Sequence, residues 1–341
     1  MTAATDAPAL SVILPCEEGF EFIARTVRAL RAQTVHGRIE LVVVVPNEAI
    51  QMVPDALTGF HSVRVVVAPG KKGNGARAAG IREASARVVV SAEDHCLPET
   101  GWAEALIAAH EQGWSAVGPR MINANPATAT SWVNLLLTFG PWVRPRVPNP
   151  TDQLPWHNAS YKRAPLLEYG EGLGDLMEVE GMLQADLVSK GHRLYYEPAA
   201  RVHHLNISKV SCTVVCRFKS SRLFAGRRSQ TWSPLKRLLY VLASPLIPLV
   251  RLRRTLPMIP ASPDRNKGLL LLVAGIVAVL VVDTVGEVVG YVVGAGRVAD
   301  EVESFERQRF RYLSRADRRA YDAGDTAPVG QSHLSPATVP A

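Results

Sequence analysis

Four short runs rich in β-branched residues, Leu10–Pro15, Leu41–Val45, Val63–Val67 and Arg87–Ala92, alternate along the chain with stretches of helical period. That alternation constrains the fold more than any other feature. Strands apolar on both faces need cover above and below, and helices between successive strands supply it, so the pattern predicts a parallel α/β sheet. Phe20, Ile23, Val27 and Leu30 recur at helical spacing and predict an amphipathic helix over Gly19–Gln33. Further helices are expected over Asn74–Ser85 and Thr100–Glu111, and another strand starts at Ala116 and Val117. In such sheets ligands collect beyond the carboxyl ends of the strands. Pro69–Gly75 and Glu93–His95 both lie there.

From Asn123 to Pro155 the alternation stops. Trp132, Leu135, Leu136, Phe139 and Trp142 make one apolar helical face, which suits either a core helix or an element touching an acceptor or a membrane. The charge is also uneven. The chain of 341 residues has net charge +7, yet Arg217–Lys267 alone holds twelve Lys or Arg against one acid, Asp264, and the remainder is slightly acidic. Nucleic-acid binders concentrate charge in this way. Here the basic residues alternate with Leu, Ile, Val and Pro, and Trp232 and Tyr240 are the only Trp or Tyr in the stretch, so an anionic membrane surface fits better. Leu235–Arg254, broken by Pro245 and Pro248, reads as an interfacial helix pair with basic ends. Gly268–Val282 carries no charge but falls short of the ~20 residues of a spanning helix. Extending it to Gly296 takes in Asp283 and Glu287. Gly286, Gly290 and Gly294 then repeat every four residues, a face suited to close helix packing in lipid, and we expect a membrane-embedded helix or re-entrant hairpin that packs on itself or on a second subunit. A charged helix is expected over Arg297–Tyr321, followed by a disordered tail.

The four cysteines, Cys16, Cys96, Cys212 and Cys216, form no disulfide framework, and Cys212 and Cys216 with His203 and His204 match no standard zinc spacing. The N-terminus has no basic region ahead of an apolar run, which is unlike a secretory signal and places the main body in the cytoplasm. His36, His61, His110, His192 and His333 read as surface or incidental residues. The Gly- and Lys-rich stretch before the second helix suits an anion at a helix N-terminus but lacks the ending of a P-loop.

The chemistry-bearing residues are Glu93, Asp94 and His95 after Val88–Val90, then Glu180 ahead of Met182 and Leu183, and His204 after Pro198. Carboxylates and imidazole can hold Mn²⁺ or Mg²⁺, and a remaining carboxylate can act as a base. Their surroundings resemble the inverting family-2 glycosyltransferases of GT-A fold. Ser11-Val12-Ile13-Leu14-Pro15, with Gln33-Thr34 after the first helix, resembles the family's opening strand and helix. Gly75-Ala76-Arg77-Ala78-Ala79-Gly80 resembles the start of its donor-side helix. Glu93-Asp94-His95, with Pro98 and Trp102, resembles its Asp-x-Asp metal motif. His157-Asn158-Ala159-Ser160-Tyr161-Lys162-Arg163, Val179-Glu180-Gly181-Met182-Leu183 with Gly191, and Pro198–His204 resemble its later segments.

The resemblance covers Leu10–Arg228 and implies a Rossmann-type mixed sheet flanked by helices, followed by the apolar membrane-associated helices. With the basic and apolar segments read above, it divides the chain into a tail over 1–8, a catalytic domain over 9–228, membrane-associated helices over 229–296 and a charged helix with tail over 297–341. It implies Glu180 as general base, with Glu178 as a rival. Pro15, Glu18, Lys72, Arg77, Glu93 and Asp94 would lie on the donor side, with Lys71 also bordering the donor phosphates. Asn158 and Arg163 would lie on the acceptor side, and Asp94, His95 and His204 would ligate a divalent metal. The expected partners are a nucleotide-sugar donor from the resemblance and, from the basic and apolar segments, a lipid-linked or glycan acceptor and membrane lipids at the cytoplasmic face, with homo-oligomers through Gly286, Gly290 and Gly294, and no nucleic acid. Asn47 or Glu48 stands where the family has a base-binding Asp, Glu18 and Ala78 each replace an Asn, and His95 replaces the last metal-motif Asp. A catalytically inactive membrane scaffold of the same fold is the alternative.

Overall fold

The computed structural model describes residues 7–144, 147–155, 158–178, 180–259, 265–307 and 309–324. The chain runs β1 (Leu10–Pro15), α1 (Phe20–Arg31), β2 (Ile39–Val45), β3 (Ser62–Val67), α2 (Gly73–Glu83), β4 (Val88–Ser91), β5 (Cys96–Pro98), α3 (Trp102–Glu111), β6 (Ala116–Asn123), α4 (Ala129–Phe139), β7 (Asn149–Thr151), β8 (Ser160–Lys162), α5 (Arg163–Leu167), α6 (Leu173–Met177), α7 (Glu180–Ser189) and β9 (Leu194–His204). Helices alone follow: α8 (Val210–Arg228), α9 (Pro234–Ala243), α10 (Ile247–Thr255), α11 (Arg265–Val293), α12 (Val298–Glu306) and α13 (Arg315–Gly324). The described residues form two compact units, one from the chain up to Ile122 together with the residues up to His203 that follow Arg144, the other from Asn123–Arg144 and the residues after His203.

The first unit is built on a mixed sheet in the order β3-β2-β1-β4-β8-β6-β9-β5, with β7 paired to β9. β3, β2, β1 and β4 are parallel, and β8 runs antiparallel to β4 and β6. Ile13 pairs with both Val42 and Ser91, so the loops after β1 and β4 leave from the same sheet edge. The mixed α/β sheet flanked by helices that the resemblance implies is therefore present, with β8 as an antiparallel strand that the alternation alone did not reveal. β2 is buried throughout, whereas β3 is an edge strand with Val65 45% and Val67 41% exposed, so its apolar run has cover on one side only. A Cβ at Gly80 would strike Ile13 and Val44, so glycine lets α2 lie directly on β1 and β2. Ile13, Val42, Val44, Ile81, Leu173 and Leu183 belong to the core that results.

Two buried polar groups in this unit escaped the sequence reading. Glu40 lies inside β2, 1% exposed, and accepts hydrogen bonds from the Ser11 hydroxyl and the Ser85 N–H (2.7 Å). Burial pushes its carboxyl up, but these donors, with Arg64 nearby, outweigh that and hold it below the ordinary range. His110 is not on the surface. It is 6% exposed, with Nδ1 3.2 Å from the Trp114 carbonyl and Nε2 2.9 Å from the Ser160 hydroxyl. A helical-period polar residue gives no sign of such partners when they lie on β8 and in a turn.

In the second unit α11 is one continuous helix of 29 residues, not a hairpin. Ile276, Val279 and Leu280 pack with Val133 and Leu136 of α4, which settles that helix as a core element. Asp283 and Glu287 are buried, and neither faces lipid or a second subunit. Arg217 Nε donates to Asp283 (2.9 Å), Ser221 donates to it at 3.0 Å, and Arg251 pairs with Glu287 (2.5 Å). The glycine face is also occupied from within. A Cβ at Gly286 would strike the Phe218 carbonyl, and one at Gly290 the Arg222 carbonyl, so both glycines admit α8. Gly294, at φ +80°, ends the helix. Gly286 and Gly290, expected on a homo-oligomer face, are thus taken up by the contact between α8 and α11, while a Cβ at Gly294 would meet nothing within 4 Å. The expected charged helix over 297–321 is three pieces: α12, a short 3-10 turn at Arg309–Tyr312, and α13. Residues 1–6 and 325–341, read as tails, lie outside the described residues.

Candidate active site

The loop between β4 and β5 carries the densest set of reactive side chains in the first unit. The Ala92 N–H reaches the Ile13 carbonyl (2.9 Å), which continues the sheet one step past Ser91. The Thr26 hydroxyl of α1 then lies 3.1–3.2 Å from the carbonyl oxygens of Glu93, Asp94 and Cys96, so one side chain braces three carbonyls of the loop. Glu93 is 3% exposed, and its Oε2 accepts from the Asn158 amide and the Cys96 thiol, each at 3.0 Å. His95 is equally buried. Its Nδ1 lies 2.7 Å from Asp94 Oδ1, which assigns the proton to Nδ1 and turns Nε2 toward Glu93, 3.6 Å away. Glu93, His95 and Cys96 thereby offer a carboxylate oxygen, an imidazole nitrogen and a sulfur within 4.8 Å of one another.

This donor set fits a divalent cation. Imidazole and thiol favour Mn²⁺ or a softer ion over Mg²⁺, and Asp94 behind the ring is the carboxylate that orients a ligating histidine. Binding would require Cys96 to release the proton it now shares with Glu93. Sequence reasoning named Glu93, Asp94 and His95 but missed Cys96, although it is the next residue; a thiol beside an imidazole was the available signal. It also missed Thr26, for which spacing along the chain gives no hint.

Toward the start of α2 the structure places the expected donor-side residues unevenly. Lys71 and Lys72 are exposed, Glu18 is exposed and Pro15 half-buried. Arg77 is 8% exposed; its guanidinium reaches Asn74 Oδ1 (3.2 Å), while its Nε has no hydrogen-bond partner among the described residues. Glu17, next to the expected Glu18, accepts the Gly73 N–H at 2.7 Å, so a carboxylate already sits at the N-terminus of α2. Near the end of β1, burial pushes the Cys16 thiol up to about 12, which keeps it protonated and inert.

Asn158, expected on the acceptor side, donates to Glu93 Oε2. Arg163 is committed to the Ile81 and Arg82 carbonyls at the end of α2, where it caps the helix. His203 lies 2.9 Å from Glu99, which also pairs with Arg201; the His203 hydrogen bond, then Arg201, hold the Glu99 carboxyl below its ordinary range. Glu180 opens α7, and its side chain lies outside the described residues, as do His157 and Val179. His204 is the last residue of β9; its Nδ1 lies 2.9 Å from Asn206 Oδ1, and its ring meets Phe139 edge-on at 4.7 Å.

Comparison with known proteins gives a family. The profile of "Glycosyl transferase family 2" matches residues 11–169, a span that includes β1, the α2 segment and the loop with Glu93, His95 and Cys96. No curated protein sequence matches the chain. Among solved structures, the chain is similar to the mannosyltransferase PcManGT from Pyrobaculum calidifontis in complex with GDP-Man and Mn²⁺, with 16% identity, a TM-score of 0.47 and coverage of 82% of this chain and 87% of that one. It is also similar to GalNAc-T7 with UDP, GalNAc and Mn²⁺, with 14% identity, a TM-score of 0.42 and coverage of 66% of this chain and 51% of that one.

Proposed function

We propose a specific reaction for this chain, which belongs to glycosyl transferase family 2 through residues 11–169: transfer of a sugar, with inversion, from a nucleotide-sugar donor to a lipid-linked or glycan acceptor at the cytoplasmic face of the membrane. The observation that carries the donor half is the buried Glu93, His95 and Cys96 set at the carboxyl edge of β4, within the matched segment. A divalent cation bound there would neutralise charge on a departing diphosphate. Glu93, His95 and Cys96 would hold it, with Asp94 fixing the His95 ring. Arg77, with a buried N–H still to be satisfied, and the exposed Lys71 and Lys72 supply positive charge for the donor phosphates. Glu180, at the first turn of α7, is assigned by resemblance as the base that takes the acceptor proton; a carboxylate suffices when the leaving group needs no strong acid. His204, a metal ligand in the resemblance, is tested as its own variant. The acceptor half rests on α9, α10 and α11, whose exposed leucines and valines suit a lipid environment.

The test is sugar transfer from labelled nucleotide sugars into lipid and glycan extracts of membranes, with wild type, Glu180→Gln and His204→Ala. We expect label in one fraction with wild type and at least a ~100-fold loss in Glu180→Gln. Equal transfer by Glu180→Gln would remove it as the base and move that role to Glu178. No transfer from any donor would favour a scaffold that keeps the fold without the reaction.

A further inference from the structure

We propose that the second unit is seated in one leaflet of an anionic bilayer and that α11 does not cross it; this rests on the membrane location proposed above. By length and composition α11 is long and apolar enough to span, since Gly268–Val293 covers 26 residues with a mean hydropathy of 2.6. Its surroundings forbid it. Gly286 faces Phe218, Gly290 faces Arg222, and Gly226 of α8 faces Ala295, so α8 and α11 run parallel over that stretch. α8 is a polar helix there. Lys219, Arg222, Arg227 and Arg228 come with it, Lys219 paired to Glu301 and Arg222 bonded to the Gly294 carbonyl. Placing Asp283–Val293 in hydrocarbon would place these charges there too, at high cost. Only Gly268–Val282 is left, about 22 Å of helix against a core of ~30 Å. One side of that remnant is already buried on Val133 and Leu136.

What stays open is a surface, not a span. Along α11, Leu270, Leu271, Val277 and Val281 are exposed, between 38% and 77%. On α9, Leu235, Leu238, Leu239 and Leu242 follow one helical face and are 52–68% exposed, and Leu246 and Leu249 continue the apolar surface toward α10. An amphipathic helix that turns its apolar face outward needs a partner for it. The charge identifies that partner. Between Gln230 and Ile259 there is no Asp or Glu. Arg251 is spent on Glu287, and Arg237 on the Ser229 and Gln230 carbonyls. Lys236, Arg253 and Arg254 remain exposed beside the leucines, where they can meet anionic headgroups while the leucines enter the acyl region.

The experiment uses the full chain with single cysteines on either side of α11, Ser262→Cys and Asp300→Cys, in a Cys212→Ser background. Sealed membrane vesicles of known orientation are treated with a membrane-impermeant maleimide, and detergent-opened vesicles give the full signal. Labelling of both positions from the cytoplasmic face supports the single-leaflet arrangement; any split between faces overturns it. Flotation with phosphatidylglycerol or phosphatidylcholine vesicles tests the surface itself. Leu238→Glu with Leu242→Glu should lower partitioning at least about tenfold, and Lys236→Gln with Arg253→Gln and Arg254→Gln should abolish the preference for phosphatidylglycerol. Wild-type partitioning that is unchanged by either set overturns the docking surface. If wild type floats with neither vesicle yet binds nucleotide, the membrane reading fails as a whole while the transferase reading stands.

Discussion

His110 should make the first unit acid-sensitive in a way that can be calculated. Burial drops its imidazole from the ordinary 6.5 to about 4, and the Trp114 carbonyl and Ser160 hydroxyl only partly oppose that. Below about pH 6.5 the unfolded chain takes up a proton that the folded chain refuses. The stabilising contribution is therefore present above 6.5 and is lost as pH falls toward 4. At about pH 5 the loss is roughly 2 kcal/mol, and near pH 4 it reaches about 3 kcal/mol. The perturbation is His110→Gln, which keeps a hydrogen-bonding group but cannot titrate. Urea unfolding followed by a probe in the first unit, at about pH 7.5 and about pH 5, gives four stabilities. The variant should be less stable than wild type at the higher pH by ~1–3 kcal/mol, from the imperfect replacement of two buried hydrogen bonds. It should lose about 2 kcal/mol less than wild type between the two pH values, so the gap narrows in acid. Parallel losses in the two proteins would refute the argument, because titration of all other groups cancels in the comparison.

Other perturbations have distinct expected outcomes. Gly290→Ala drives a Cβ into the Arg222 carbonyl and should destabilise the second unit by ~1–3 kcal/mol in thermal unfolding, with Gly268→Ala, which meets nothing within 4 Å, as the silent control. Asp283→Ala strands the Arg217 guanidinium and should cost ~3–5 kcal/mol, much of it regained in the double variant with Arg217→Leu; a larger loss in the double variant would contradict the pairing. Cys96→Ser should weaken Zn²⁺ binding more than Mn²⁺ binding, measured by competition with a chelating dye, because the thiol is the softest ligand of the set. Thr26→Val removes the brace under the β4–β5 loop and should lower metal affinity ~10-fold or more without unfolding the protein.

The parts of this molecule that local sequence could reveal are those whose partners are near in the chain or are set by period. The β-branched runs gave β1, β2 and β4 because a strand buried on both faces is apolar at most positions, and α1 followed from Phe20, Ile23, Val27 and Leu30. β3 misled because an edge strand can carry the same residues with only one side covered. Glu93, Asp94 and His95 were legible as three consecutive ligand types at a strand end. Their arrangement was not, because Thr26 and Asn158 reach the loop from 67 and 65 residues away and neither announces its partner. Gly286 and Gly290 were read correctly as a close-packing face but assigned to the wrong neighbour. Spacing shows that something must approach, and only the fold shows that it is α8.

The central claim is that the buried acidic, imidazole and thiol set at the end of β4 serves a nucleotide-sugar donor. It is tested most directly by calorimetric titration of the full chain with UDP, GDP and dTDP, with and without Mn²⁺, beside His95→Ala. The account predicts binding of one nucleoside diphosphate, tightened by Mn²⁺ and weakened at least ~100-fold in the variant, with folding unchanged. Binding that ignores both Mn²⁺ and His95, or no binding of any nucleotide by folded protein, would contradict it.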